Sequence, residues 1–377
     1  MTRLADLGAR VTLMTFDKTA DRANAGLVAA TAAELNRHGV RWLPQSYHKR
    51  PKAAAKGLDF LLAWATGAAA GRFDLVHART YTGGLMGLPL ARLLRTKLVY
   101  HNEGFYPDEQ VDGGVWRLGS ARHRLARSLE GRLYATADGI IALSHRARSV
   151  IDALPPVRRR RTPTTVVPSC VNLDLFRPLA RPQALANELR LVYIGTMGLR
   201  YLFHRVARFV AVAREELGTV RLRVLTRTDP AEVTATLRAA GLPDHAWSLG
   251  SVPHLQMPCE LAHQHAGLFF LTQGISEHGC SPTKVGEYWA SGLPVVSTPN
   301  VSDTDNIARR YRVGVVVNEH TDNEYRRAAR ELLGLLDDPE LSVRCRRAAE
   351  DHYDLDAACR RQMALYKTVL TRKSGRT

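Results

Sequence analysis

The sequence predicts an α/β protein of two domains, each built on a parallel sheet, and three observations carry that expectation. The chain has 377 residues, beyond the size at which a single hydrophobic core keeps growing, so about two domains are expected. Its apolar fraction of 45% excludes a disordered chain. Short β-branched or aromatic runs alternate with longer amphipathic stretches, the pattern of βαβ units whose helices cover a parallel sheet.

Taken in order, Met1–Gly8 (MTRLADLG) reads as the end of a helix and Arg10–Phe16 (RVTLMTF) as a strand. A doubly wound domain opens instead with a strand and a glycine-bearing turn, so the first strand is read as missing and the true start as lying upstream of Met1. Further strands are expected at Leu75–Ala78, Lys97–Tyr100, Gly139–Leu143 and Thr165–Val167. Asn172–Leu189 holds two prolines and no strand pattern, which marks a linker. Strands resume at Leu189–Ile194, Arg221–Leu225, Leu268–Leu271, Pro294–Ser297 and Gly314–Val317, giving two sets and two sheets. From Asp322 to Lys373 the pattern is helical, with a break near Asp337-Asp338-Pro339. The domain bounds are therefore 1–171 and 189–350, joined by 172–188.

Lys and Arg number 53 against 36 Asp and Glu, a formal net charge of +17 that asks for an anionic partner. Arg117, Arg122, Arg124, Arg127, Arg132, Arg146, Arg148 and the run Arg158–Arg161 concentrate that charge in the N-terminal half. They fit either a solvated face or peripheral contact with an anionic membrane. Five widely spaced cysteines without a CxxC pair predict free thiols in the cytoplasm. The longest apolar stretch, Phe60–Gly71, is too short to span a bilayer.

The chemistry is expected in Gly274–Thr298 (GISEHGCSPTKVGEYWASGLPVVST). Ser281-Pro282 reads as an N-cap and a first-turn proline opening a helix at about Thr283. Backbone N–H groups of that turn, the positive end of the helix dipole and Lys284 would together hold a diphosphate. Glu287, about one turn on, would accept hydrogen bonds from ribose hydroxyls. His101 ends the KLVYH strand, where ligands of open α/β sheets collect, and Glu103, Asp108 and Glu109 follow it. His77, Arg79 and Tyr81 close another strand and are candidate acceptor contacts. No HExxH or paired CxxC accompanies His263, His265 and Cys259, and Asp303-Thr304-Asp305, although spelled like a metal site, is read as a loop.

These segments resemble the retaining family-4 glycosyltransferases of the two-Rossmann GT-B fold, in a bacterial polysaccharide or natural-product subgroup. Glu277, Glu287 and Gly292-Leu293-Pro294-Val295-Val296 match that family's loop acid, helix acid and following strand, although nine residues separate the acids where seven are usual. Val166–Pro178 (VVPSCVNLDLFRP) is similar to the interdomain signature, and YHKRP at Tyr47–Pro51, HARTY at His77–Tyr81 and GFYPDE at Gly104–Glu109 add to the match. The resemblance implies two Rossmann-like domains facing across a cleft, with a final helix, residues 351–377, crossing back to the first. It implies transfer of a sugar from a nucleotide-diphosphate sugar to an acceptor hydroxyl with retention, without a metal or other cofactor. His101 looks like the family's active-site histidine, and His48 and Lys49 join the acceptor contacts. Where the family places Arg and Lys after the first strand of the second domain, this chain reads Gly195-Thr196-Met197-Gly198-Leu199-Arg200, so Lys284 takes the main phosphate contact, with Arg200 and the turn assisting. A nucleotide-sugar epimerase, a basic nucleic-acid-binding protein or an inactive scaffold are the alternatives, although no nucleic-acid signature is present. The acceptor is expected to be a glycan, a lipid-linked glycan or a secondary metabolite.

Overall fold

The computed structural model describes residues 1–48, 52–179, 188–198 and 200–372. In the N-terminal part, β1 (Thr12–Asp17) pairs in parallel with β2 (Arg41–Ser46). A second, four-stranded parallel sheet runs in the order β3 (Leu75–Arg79), β4 (Lys97–His101), β5 (Gly139–Ala142) and β6 (Thr164–Val166). The single N-terminal sheet expected from the sequence is thus corrected to two sheets, because no described strand pairs with both β1 and β3. Every residue of β1 is accordingly half-buried, whereas β5 is buried throughout. Strand β2 went unrecognised because Pro44 interrupts it. A proline is tolerated there because β2 is an edge strand.

The C-terminal domain holds six parallel strands: β7 (Leu189–Ile194), β8 (Val220–Leu225), β9 (Trp247–Gly250), β10 (Ala266–Phe269), β11 (Val295–Ser297) and β12 (Gly314–Val316). Their order is β12-β11-β10-β7-β8-β9. β9, four residues at the sheet edge, is the second strand that periodicity does not reveal. One face of the sheet packs Leu191 and Tyr193 against Phe209, Val210 and Tyr325. The other packs Val192 and Phe269 against Tyr288, Trp289 and Ala349. Burial on both faces explains why LRLVYI is apolar almost throughout. After β7 the chain winds outward to β9, then returns to lay β10 on the opposite side of β7. The crevice at the carboxyl ends of β7 and β10 is therefore the topological switch point, where open α/β sheets bind ligands.

Helix 341–353 packs on helix 283–290 of the second domain. At Asp354 the chain crosses, and the helix Leu355–Thr371 lays Leu365 and Val369 against Val99 and Ile141 of the first domain. The crossing helix expected over 351–377 thus begins at Leu355, with the Asp354 carboxylate accepting from Ala357 N at 2.6 Å as its cap. The outward passage runs beside this return, with Val171 N donating to Tyr353 O at 3.0 Å. Of the expected linker, 180–187 lie outside the described residues, as do 373–377. Asp303-Thr304-Asp305 is not a loop: it opens the helix Thr304–Tyr311. No described helix is long and apolar enough to cross a membrane.

Candidate functional site

The switch point is lined by the turn after β7 and by the N-terminal end of the helix Thr283–Ala290. Lys284 sits in the first turn of that helix, where the dipole disfavours a cation. Its ammonium lies 4.7, 5.3 and 5.5 Å from the ring centroids of Tyr201, Phe269 and Tyr193. No carboxylate lies within ion-pair distance of it among the described residues. Burial pushes its pKa down to about 8, with Glu287 pulling the other way. A half-buried cation packed on three ring faces beside a helix N-terminus, with no carboxylate in reach, makes a place that suits an anion. Gly195 makes room: its φ is +137°, and a Cβ there would collide with Lys284 Nζ. The rest of the turn is shaped from below, as Thr196 O accepts from Tyr193 Oη at 3.1 Å and Met197 N donates to Thr228 Oγ1 at 3.0 Å. This turn and Lys284 are brought together as the sequence predicted.

One correction concerns the helix start. Pro282, in extended conformation, is the residue before the helix and no side chain caps it, so Thr283 is the first helical residue. Ser281 Oγ instead accepts from Ser169 N at 3.0 Å, tying the helix to the interdomain segment.

Glu287 is buried, and its Oε1 lies 2.9 Å from His254 Nε2. His254 is exposed, lies against Phe176 and was not singled out from the sequence. Glu277 is fully buried and accepts from Thr272 Oγ1 (2.6 Å), Gly274 N (2.8 Å), Ser276 Oγ (2.9 Å) and Arg200 Nε (3.0 Å). Burial would raise its pKa, but these donors and the Arg200 charge hold it below the usual range. Both carboxylate oxygens are thus satisfied within the protein, and their geometry fixes Arg200 and the 272–276 turn. Arg200 also faces Glu109 of the first domain across 3.7 Å.

On the first domain, His101 is buried at the end of β4, its Nδ1 3.1 Å from His77 Nε2. His77 Nδ1 meets Tyr366 and Gln362 of the C-terminal helix, so both its nitrogens are engaged inside the protein rather than presented as an acceptor contact. Arg79 is exposed and pairs with Glu103. Tyr81 stacks on Tyr106 at 4.7 Å and donates to Ala126 O at 3.2 Å. His48 pairs with buried Asp59 at 2.5 Å. Lys49 lies outside the described residues.

The domains also meet at the start of the helix His145–Asp152. Asp303 accepts from His145 N (2.7 Å) and Arg146 N (3.2 Å), capping this helix from the other domain. Arg146 binds Ser302 O at 2.7 Å and forms a two-pronged pair with buried Asp305. Long-range partners such as these leave no local sequence signal.

Comparison with known proteins adds to this geometry. Residues 1–175 match the profile of Glycosyltransferase Family 4. No curated protein matches the chain. Among solved structures, sucrose-phosphate synthase from Thermosynechococcus elongatus is 17% identical with a TM-score of 0.72, over 98% of this chain and 91% of that one. HepE from Anabaena, solved with UDP and glucose, is 15% identical with a TM-score of 0.69, over 98% and 95%. A glycosyltransferase from Rickettsia africae is 12% identical with a TM-score of 0.65, over 96% and 99%. Residues 1–175 thus match the Glycosyltransferase Family 4 model, and the whole chain shares the GT-B fold of these glycosyltransferase structures.

Proposed function

We propose that this enzyme transfers a sugar from a nucleotide-diphosphate sugar to an acceptor hydroxyl, with retention of anomeric configuration and without a metal. The observation that carries the reading is Lys284, a half-buried ammonium at the switch point with no carboxylate within ion-pair distance among the described residues. The diphosphate lies against Lys284, the Thr196 N–H of the turn whose Gly195 and Met197 N–H groups are already given to Leu225 O and Thr228 Oγ1, and the start of helix 283–290 at Thr283, with Ser281 and Pro282 just before it. Glu287 receives the ribose hydroxyls, taking the place of His254. Arg200, held by Glu277, faces the cleft beside them. Since HepE was solved with UDP-glucose, a UDP-sugar is the first donor to try.

As the glycosidic bond to the diphosphate breaks, negative charge grows on the departing phosphate, and Lys284 with the helix N-terminus stabilises it in a preorganised way. This charge contact does the work a metal does elsewhere. The acceptor approaches from the first domain, near His101 and Glu103, and the family resemblance supports proton transfer to the donor's own β-phosphate on the same face. Incubation with a panel of nucleotide sugars, with mass detection of the released nucleoside diphosphate, tests the reading. Release from a UDP-sugar that survives EDTA is expected, and donor turned over only to an epimer would overturn it.

A second reading concerns location, and we place the enzyme on the cytoplasmic face of an anionic membrane. Arg122, Arg124 and Arg132 are exposed on the helix Ala121–Thr136, and its single acidic residue, Glu130, is buried. Leu125 on the same helix and Val115 and Leu118 before it are 63%, 64% and 76% exposed. Apolar side chains among unopposed arginines suit an acidic lipid surface. Co-sedimentation with anionic but not neutral vesicles is expected, and equal partitioning to both would refute it.

A further inference from the structure

Four side chains from distant parts of the chain form one hydrogen-bonded file that runs from the C-terminal helix through the middle of β3 to the carboxyl end of β4. Gln362 and Tyr366 stand one turn apart on the C-terminal helix, and the Gln362 amide nitrogen donates to the Tyr366 hydroxyl at 2.5 Å. The same nitrogen lies 3.2 Å from Nδ1 of His77, which the Tyr366 hydroxyl also meets. His77 Nε2 is 3.1 Å from His101 Nδ1. His101 is only 7% exposed, and its Nε2 is buried with no hydrogen-bond partner.

The polarity of this file follows from its far end. An amide nitrogen can only donate, so the Tyr366 oxygen accepts from Gln362 and its own hydrogen turns to His77. Nδ1 of His77, facing donors, is then the bare nitrogen, and the ring hydrogen sits on Nε2. That hydrogen points at His101 Nδ1, which accepts, leaving the His101 hydrogen on Nε2. Neither ring is charged at neutral pH. Burial, with Arg79 nearby, lowers the pKa of His77 to about 4, and burial, His77 and Arg79 hold His101 well below its ordinary value.

We propose that Gln362 and Tyr366 are positioning residues that act through His77 to fix His101 in the tautomer with its hydrogen on Nε2, as a donor to an oxygen of the bound sugar or acceptor. The role in turnover rests on the glycosyl-transfer reading, whereas the tautomer does not. The orphaned Nε2 becomes the working end of the file: a neutral donor that suits a hydroxyl or ring oxygen and has no lone pair for an amine. The last helix in the sequence thereby sets the chemistry of a strand end more than 260 residues earlier.

The test uses the full chain with 13C,15N-labelled histidine rings, the His77 and His101 signals being assigned by their loss in His77→Asn and His101→Asn. Both rings are expected neutral at pH 7 with hydrogen on Nε2. Gln362→Glu replaces a donor by an acceptor, so both rings should switch to Nδ1–H. UDP release from UDP-glucose should then fall by roughly ten- to a hundredfold with KM for the donor unchanged, the range seen when an orienting partner of a histidine is lost. A wild-type His77 or His101 carrying its hydrogen on Nδ1, or a Gln362→Glu protein whose tautomers do not change, would overturn the proposal. Expected tautomers in a protein that releases no nucleoside diphosphate from any donor would leave the file intact and remove the glycosyl-transfer reading instead.

Discussion

Replacing Lys284 by methionine should make the unliganded protein more stable and the enzyme far slower. Moving an ammonium from its ordinary 10.5 to about 8 corresponds to roughly 3 kcal/mol of penalty for keeping it charged. The ring contacts with Tyr193, Tyr201 and Phe269 return about 1 kcal/mol. Methionine keeps the apolar stem and fills the same space, so a net gain of about 2 kcal/mol is expected, a rise of several degrees in Tm. Turnover should drop by about 10² to 10³, as when one preorganised charge contact to a developing anion is removed. Differential scanning fluorimetry of the unliganded protein and nucleoside diphosphate release measure the two effects. A Lys284→Met protein that melts lower than wild type, or turns over a UDP-sugar at the wild-type rate, would refute the assignment, because each rests on the same uncompensated charge.

Three further outcomes follow from the same coordinates. The folded-state pKa of Lys284 lies below its unfolded value, so between about 8 and 10.5 the unfolded chain binds the extra proton. Stability of the unliganded protein should gain a component as pH rises through that window while KM for the donor climbs above pH 8, and a flat KM from pH 7 to 9.5 would count against a charged phosphate contact. Asp303→Ala removes the carboxylate that caps helix 145–152 from the other domain. It should cost about 1 kcal/mol and speed proteolytic nicking between the domains, and unchanged proteolysis would show that the contact holds nothing. Gly286→Ala would place a Cβ 2.7 Å from Val171 and 2.8 Å from Tyr353. A loss of about 1–3 kcal/mol in a denaturant melt is expected, and wild-type stability would mean that the two crossings pack less tightly than described.

The alternating grammar of the chain made the α/β class and five of the second domain's six strands readable, since LRLVYI and GLPVV are apolar for a reason that periodicity records: burial on both faces of a sheet. Helix 283–290 was readable because proline, lysine and a terminating glycine are local signals. Pro44 hid β2, and the brevity of β9 hid an edge. The surroundings of Lys284 were invisible for a different reason, because Tyr193, Tyr201 and Phe269 belong to other elements and meet only after the sheet has formed. Glu277 shows the limit of motif reading most clearly. Its sequence position suggested chemistry, while its four hydrogen bonds assign it the support of Arg200. His254, Gln362 and Tyr366 carry no local pattern at all, and folding alone gives them their partners.

The neighbouring crossings at Val171 and Asp354 have a mechanical consequence. Two passages tied side by side form a pivot, so one domain can swing against the other but cannot slide past it. A swing that opened the cleft would part the packing of helix 106–112 on helix 275–278 and, among the polar contacts remote from the pivot, Ser144 from His278, Asp303 from the helix start, Arg146 from Ser302 and Asp305, and Arg200 from Glu109. The C-terminal helix lies on the first-domain side of the pivot and travels with β4. His101 therefore keeps its supporting file through every angle of opening, while Lys284 leaves and returns with the other body. The two halves of the site are set independently and come into register only on closure.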